Sequence, residues 1–303
     1  MPIDNQLPYS PITDHSLPAP ELSQVQRVPP PVNSNNPPWG LGGALLVWFL
    51  SLLLLAFVPL IFLIPWAIKR GLDFKSPDFL RVFAELATTD KMAILLQVIS
   101  LLPAHLLTFA LVWALVTRFG KYPFLRTIGW EWPTRWWPYL SVGLGVVLFG
   151  IAVGITKLIG ADKPTQLEQI INSSAASRYA IAFLAVFTAP FIEEFVYRGV
   201  LFSALQKLAG SVLAGFVTLG LFTLIHVPQY WPNIGVLAAV GLLSVALTIV
   251  RAKTGTLLPC IVIHFVFNGI QSVLLLFEPY FSTPPAVPDP LPSLVVLLRI
   301  GLF

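Results

Sequence analysis

Long apolar runs, separated by short stretches that hold most of the charges and many of the prolines, set the pattern of this chain. The runs lie at Leu41 to Ile68, Met92 to Thr117, Pro138 to Thr156, Tyr179 to about Leu205, Ser211 to Val227, Ile234 to Val250 and Thr256 to Phe277. Each is near or above the roughly 17 to 25 residues that a helix needs to cross a bilayer. A further apolar piece, Leu291 to Phe303, follows six prolines between Pro279 and Pro292 and is short for a full span. The pattern predicts an all-α fold, a polytopic transmembrane helical bundle of about seven to eight spans.

The connections carry their own signals. Asp78 to Leu86 places Phe79, Leu80, Val82, Phe83 and Leu86 at helical spacing between charges, the pattern of an amphipathic helix lying in the membrane interface. Trp130 to Tyr139 has the tryptophan and proline content of a loop at headgroup level. Thr165 followed by Glu168 forms a capping box and predicts a short helix through Ile171.

Four regions follow. Residues 1–38, with ten prolines, read as a disordered polar arm that includes His15, a solvated side chain. Residues 39–157 hold the amino-terminal spans and the interfacial helix, 158–278 a membrane core of the later spans, and 279–303 a proline-rich linker with the short apolar tail. No internal repeat stands out, and Lys and Arg divide nine to nine between the two sides of the predicted topology. An acidic start without a short apolar run before Trp39 argues against a secretory signal and favours a cytoplasmic amino terminus.

Composition agrees with the pattern. With 56% apolar and 11% charged residues, the chain reads as a multi-pass membrane protein, assigned to the cell (plasma) membrane. The net charge of +4 does not indicate nucleic acid, because the basic residues are spread through short loops and form no basic face. Cys260 has no second cysteine to pair with and lies in an apolar span, where a buried thiol is expected.

Against this background, Pro190 to Gly199 is conspicuous, because it sets Glu193, Glu194 and Arg198 inside an apolar run. Each charge costs roughly 2.5 to 3.5 kcal/mol at the centre of a membrane helix on insertion scales. Glu194 and Arg198, at i and i+4 with the acid first, form a favourable helical pair. Glu193 projects about 100° away round the helix and lacks that partner. From Leu208 to Val250 there is no charged residue, yet His226 occurs there, and His264 with Asn268 follows in the next span.

A hairpin turning at Ala209 and Gly210 would place Glu193 and His226 at one depth, roughly 24 Å from the turn at 1.5 Å per residue. His264 lies roughly 15 Å from its own loop, so a kink at Pro259 or a longer loop would bring it level. Phe222, one turn before His226, is placed to wall a cavity. Pro190, read as interior to a helix, would free the carbonyl of Val186 and call for a wet pocket. His105 has no polar neighbour in its span and reads as a satisfied interior histidine.

Three separated motifs occur in order: Glu-Glu-x-x-x-Arg at Glu193 to Arg198, Phe-x-x-x-His at Phe222 to His226, and His-x-x-x-Asn at His264 to Asn268. In these, over about residues 179 to 270, the chain resembles the CAAX prenyl endoprotease and Abi (CPBP) group of intramembrane proteases. The resemblance implies an endopeptidase in which Glu193 and His226 activate water and His264 and Asn268 stabilise the oxyanion. Glu194, Arg198 and Phe222 would then be supporting residues.

The family has also been described as metal-dependent, which would make Glu193, His226 and His264 alternative zinc ligands. The chain lacks His-Glu-x-x-His, and Asn is a poor zinc ligand, so a mechanism without a cofactor is expected. The implied partners are a peptide or protein substrate, including lipid-modified ones, and the bilayer. Prenylated carboxy termini, bacteriocin-like leaders and membrane-protein tails all remain open as substrates. Two other classes compete: a catalytically silent scaffold or bacteriocin-immunity-type peptide-binding protein, and a small-solute transporter with a buried carboxylate relay.

Overall fold

A computed structural model of the chain describes residues 31–160 and 164–281. Among these residues the fold is all-helical. The elements are α1 (Leu41–Lys69), α2 (Phe79–Thr89), α3 (Lys91–Thr117), α4 (Phe124–Ile128), α5 (Trp137–Ile159), α6 (Gln166–Ser173), α7 (Ala175–Phe187), α8 (Ala189–Glu194), a π-helical segment (Phe195–Leu201), α9 (Phe202–Tyr230), α10 (Ile234–Thr254) and α11 (Leu258–Phe281). Among the described residues six helical stretches are long and apolar enough to cross a membrane. Large apolar side chains on their outer faces, among them Ile61, Val147 and Phe216, stay exposed, the surface that lipid covers in a membrane protein.

One stretch, Ala175–Tyr230, takes in both the fourth and fifth predicted runs. It doubles back: the rings of Tyr197 and Phe222 meet at 5.2 Å. An unbroken helix would hold these two residues roughly 37 Å apart. The reversal is at Gly210, whose φ of 81° and ψ of 166° suit a residue without a Cβ. The seven predicted runs are therefore present as six stretches, one of them a hairpin. Leu291 to Phe303, the eighth piece, lies outside the described residues, as do His15 and the rest of the expected arm before residue 31.

Local signals produced the shorter elements. Thr165 and Glu168 bond reciprocally, Thr165 N donating to the Glu168 carboxylate at 2.8 Å and Glu168 N to Thr165 Oγ1 at 3.1 Å, and α6 starts there. α2 forms over the predicted amphipathic segment with no residue buried against protein. At the entrance of α3, Asp90 accepts from the backbone amides of Met92 and Ala93 and from the Trp66 indole.

The prolines behave differently from the expectation. Pro190 does not interrupt a helix: α7 ends at Phe187, Thr188 leaves helical geometry, and Pro190 stands in the first turn of α8, where no N–H donor is needed. Pro259 likewise stands at the start of α11 and kinks nothing.

The expected arm is also too long at its carboxy-terminal end. Asn33 and Asn36 exchange backbone hydrogen bonds in a tight turn, Ser34 is buried, and Ser34 Oγ donates to the carbonyl of Gly255 at 2.7 Å. Lys207 Nζ donates to the carbonyl of Pro37, and the Trp39 indole to that of Val200. The polar, proline-rich composition of residues 33–38 does not mean solvation here. Ser34 O and Asn35 Oδ1 accept from the buried guanidinium of Arg251.

Among the described residues three apolar clusters hold the helices together, the smallest joining α6, α7 and α11 at Ile171, Ala182 and Leu275. One gathers the π-helical segment with α1, α3, α9 and α11 around Phe195, Leu201, Val112 and Ile261. A second joins α5, α10 and α11 through Leu148, Leu247 and Ile263. Cys260 is buried in this second core, as expected, with its thiol directed at the carbonyl of Leu247.

Candidate active site

Glu193 and Glu194 end α8 and turn in different directions. Glu194 and Arg198 are both fully buried and ion-paired at 3.0 Å, Arg198 Nη1 donating to Glu194 Oε1. The same oxygen receives a second hydrogen bond, from His264 Nδ1 at 3.0 Å. Arg198 reaches across to α10, where Nη2 donates to Ser244 Oγ at 2.7 Å and to its carbonyl at 3.2 Å. The guanidinium also lies 4.4 Å from the centre of the Phe222 ring. Helical spacing, the neutralising charge and the aromatic face together make this buried cation tolerable.

Glu193 has no such neutralising arginine. Its side chain is 23% exposed, and its nearest ionisable neighbour among the described residues is His264, with Oε2 3.8 Å from Nε2. That separation is beyond a direct hydrogen bond. His264 thus stands between the two carboxylates, one ring nitrogen committed to Glu194 and the other facing Glu193.

On the returning arm of the hairpin, His226 Nδ1 lies 2.7 Å from the carbonyl of Phe222. A carbonyl oxygen only accepts, so Nδ1 carries the hydrogen, and in the neutral ring Nε2 keeps its lone pair. Phe222 and Tyr230 hold the imidazole between them at centroid distances of 4.6 and 6.2 Å. Asn268, one turn after His264, donates from Nδ2 to the carbonyl of Ala185 at 3.0 Å. That carbonyl belongs to the last turn of α7, where intrahelical donors run out. One amide hydrogen of Asn268 therefore secures the helix break that precedes the two glutamates.

These groups border a cavity of about 710 Å³. Glu193, Phe222, His226, His264 and Asn268 line it, whereas Glu194 and Arg198 lie behind the wall. Three other lining residues had no site role in the sequence reading: Tyr197 and Tyr230 drew no signal, and His105 was read as a satisfied interior histidine. Tyr197 sits at an unspecified position of the first motif, and its hydroxyl accepts from the Trp48 indole at 3.1 Å. His105 comes from α3, and only tertiary packing brings it here.

Arg251 also had no signal. Fully buried at the end of α10, it donates to Ser34 O, Asn35 Oδ1, Ser203 Oγ and, at 3.3 Å, to the carbonyl of Arg198 itself.

Zinc can be tested against this geometry. Among the described residues no three His, Cys, Asp or Glu side chains stand together as a metal-binding group, and the set Glu193, His226 and His264 is not gathered into one. The side chains as placed do not fit a zinc site of three protein ligands.

Comparison with known proteins agrees with the motifs. No curated protein and no solved structure matches the chain. Residues 175–270 match the family model described as Type II CAAX prenyl endopeptidase Rce1-like. The match begins at the first residue of α7 and ends two residues beyond Asn268, so it contains all three motifs and excludes α1, α3, α5 and the segment at residues 33–39. Over that membrane core, the chain is similar to the Rce1-like type II CAAX prenyl endopeptidases, as its motifs indicate.

Proposed function

We propose that this chain is an intramembrane endopeptidase of the CAAX-protease type, in which Glu193 and His226 activate a water molecule. The observation that carries the reading is the contrast between neighbouring carboxylates. Glu194 is fully buried with its Oε1 held by Arg198 and His264, while Glu193 borders the cavity without a neutralising arginine. A carboxylate free of a permanent cation is the one able to take up a proton.

In the reaction, water held between Glu193 and His226 Nε2 gives a proton to Glu193 as its oxygen bonds to the scissile carbonyl carbon. The oxyanion that forms accepts hydrogen bonds from the remaining amide hydrogen of Asn268 and from Nε2–H of His264, which acts as the imidazolium with its Nδ1–H on Glu194. Removal of a donor of this kind costs about 3 to 4 kcal/mol in kcat terms in well-studied enzymes. The proton on Glu193 then passes to the amine as the C–N bond breaks, leaving a carboxylic acid and a free amine. Glu194 and Arg198 hold His264 in register throughout. No step passes through a metal.

The substrates that suit this site are peptides or protein tails reaching the cavity from within or beside the bilayer, lipid-modified ones included. The cell membrane is the proposed location. The test is incubation of the purified full chain with farnesylated and unfarnesylated peptides ending in Cys-Val-Ile-Ser, with products read by mass spectrometry. Glu193→Gln keeps the volume and removes the base, so cleavage should fall by about 10² to 10⁴ while binding survives. A Glu193→Gln variant that cleaves at the parent rate would overturn the assignment.

A further inference from the structure

His105 stands outside the matched core, on α3, and lines the same cavity. It is 9% exposed, and its Nδ1 lies 2.8 Å from Thr188 Oγ1. The hydroxyl of Thr188 has one hydrogen, directed at the carbonyl of Leu184 at 3.1 Å. With that hydrogen on Leu184, the hydroxyl accepts from His105, the arrangement in which Nδ1 carries the hydrogen and Nε2 is an acceptor. Nε2 has no hydrogen-bond partner among the described residues and is not a sealed polar atom, and the residue that carries it lines the cavity.

Thr188 is the residue at which the helix breaks before Glu193. The anchor of His105 is thus the hinge of the catalytic segment. A peptide lying in an apolar cavity has backbone N–H groups that need acceptors, because no bulk water is there to take them. In the proposed reaction Glu193 and His226 are occupied with water. His105 offers a further acceptor, held by its tether and facing the same space.

We propose that His105 is a substrate-positioning residue whose Nε2 accepts a hydrogen bond from a backbone N–H of the bound peptide. The inference rests on the reading of the cavity as a peptide site, and its test separates the two. Binding is measured to Glu193→Gln protein, with and without His105→Leu, using a fluorescent farnesylated decapeptide ending in Cys-Val-Ile-Ser. A series of the same peptide is N-methylated at one backbone amide at a time.

His105→Leu should weaken binding about tenfold with an unchanged melting temperature, the size of one hydrogen bond. One N-methyl peptide should lose the same factor on the His105 protein and nothing more on the Leu variant. His105→Gln, which keeps an acceptor oxygen, should recover part of the loss. Equal binding by the Leu variant, or N-methyl losses that add to the mutation at every position, would overturn the role of His105. If the parent binds these peptides but cleaves none, the endopeptidase reading fails while binding still decides the inference. If the parent binds none of them, both fall.

Discussion

Arg198 and Arg251 are both fully buried, and they are held in opposite ways. Arg198 faces a carboxylate, an aromatic ring and one serine, and through Glu194 it reaches His264. Among the described residues Arg251 forms no salt bridge; neutral oxygens of Ser34, Asn35, Ser203 and Arg198 surround it. The first arrangement neutralises charge next to the proposed chemistry. The second spreads it over backbone and side-chain dipoles, tying the segment at residues 33–39 to the π-helical turn. Breaking the two should therefore fail differently, because only the first leaves an opposite charge stranded.

The largest loss is expected at the ion pair. Arg198→Ala strands Glu194 in the interior, which for a buried pair costs on the order of 3 to 5 kcal/mol, and activity should go with stability. A variant that melts like the parent would refute the pairing. Replacing both partners by leucine should recover much of the stability while His264 stays unheld and cleavage stays lost, which sharpens the assignment of the pair to positioning.

A smaller effect is expected at the other arginine. Arg251→Met removes donors from neutral acceptors and strands no charge, so it should cost about 1 to 3 kcal/mol. The segment before Gly40 should then become more open to added protease. If Arg251→Met proves as damaging as Arg198→Ala in a thermal melt, the distinction between the two arginines is lost.

Asp90 supplies a reference near the membrane surface. The amide of Ala93, the Trp66 indole, the nearby Arg70 guanidinium and the amide of Met92 together outweigh burial and hold its carboxyl below the ordinary carboxylate value. The unfolded chain then takes up the proton more readily than the folded one. The contribution of Asp90 is thus complete above the ordinary value of about 4 and is lost as pH falls through the lower folded value. Asp90→Ala should cost about 1 kcal/mol as a lost helix cap and flatten this part of the acid limb in pH-dependent melts. An unchanged acid limb would show that the cap contributes nothing.

Much of this molecule was legible because the signals were local. The apolar runs, the capping box of Thr165 and Glu168, and the spacing of Glu194 with Arg198 all act within a few residues. The hairpin was legible too, since equal distances from Gly210 place residues on its arms at equal depth, and Tyr197 and Phe222 meet as that symmetry requires. Local pattern misled at Pro190, where the run of apolar residues concealed the break at Thr188. It misled again at residues 33–38, whose composition resembles that of a solvated arm although Ser34 and Asn35 receive the Arg251 guanidinium.

By itself, then, the sequence determined an all-helical membrane bundle and put Glu193, Glu194, Arg198, Phe222, His226, His264 and Asn268 on its last helices. Periodicity and turn chemistry act between near neighbours and need no knowledge of the rest of the chain. Only the tertiary structure decided that His264 stands between the two carboxylates, that His105 lines the cavity, and that Arg251 joins Arg198 to Ser34 and Asn35. Those outcomes depend on hydrogen bonds between residues separated by 46 to 217 positions, such as Arg198 with Ser244 and Arg251 with Ser34. A buried polar group must find a partner somewhere, and packing, which no local pattern records, chooses which one.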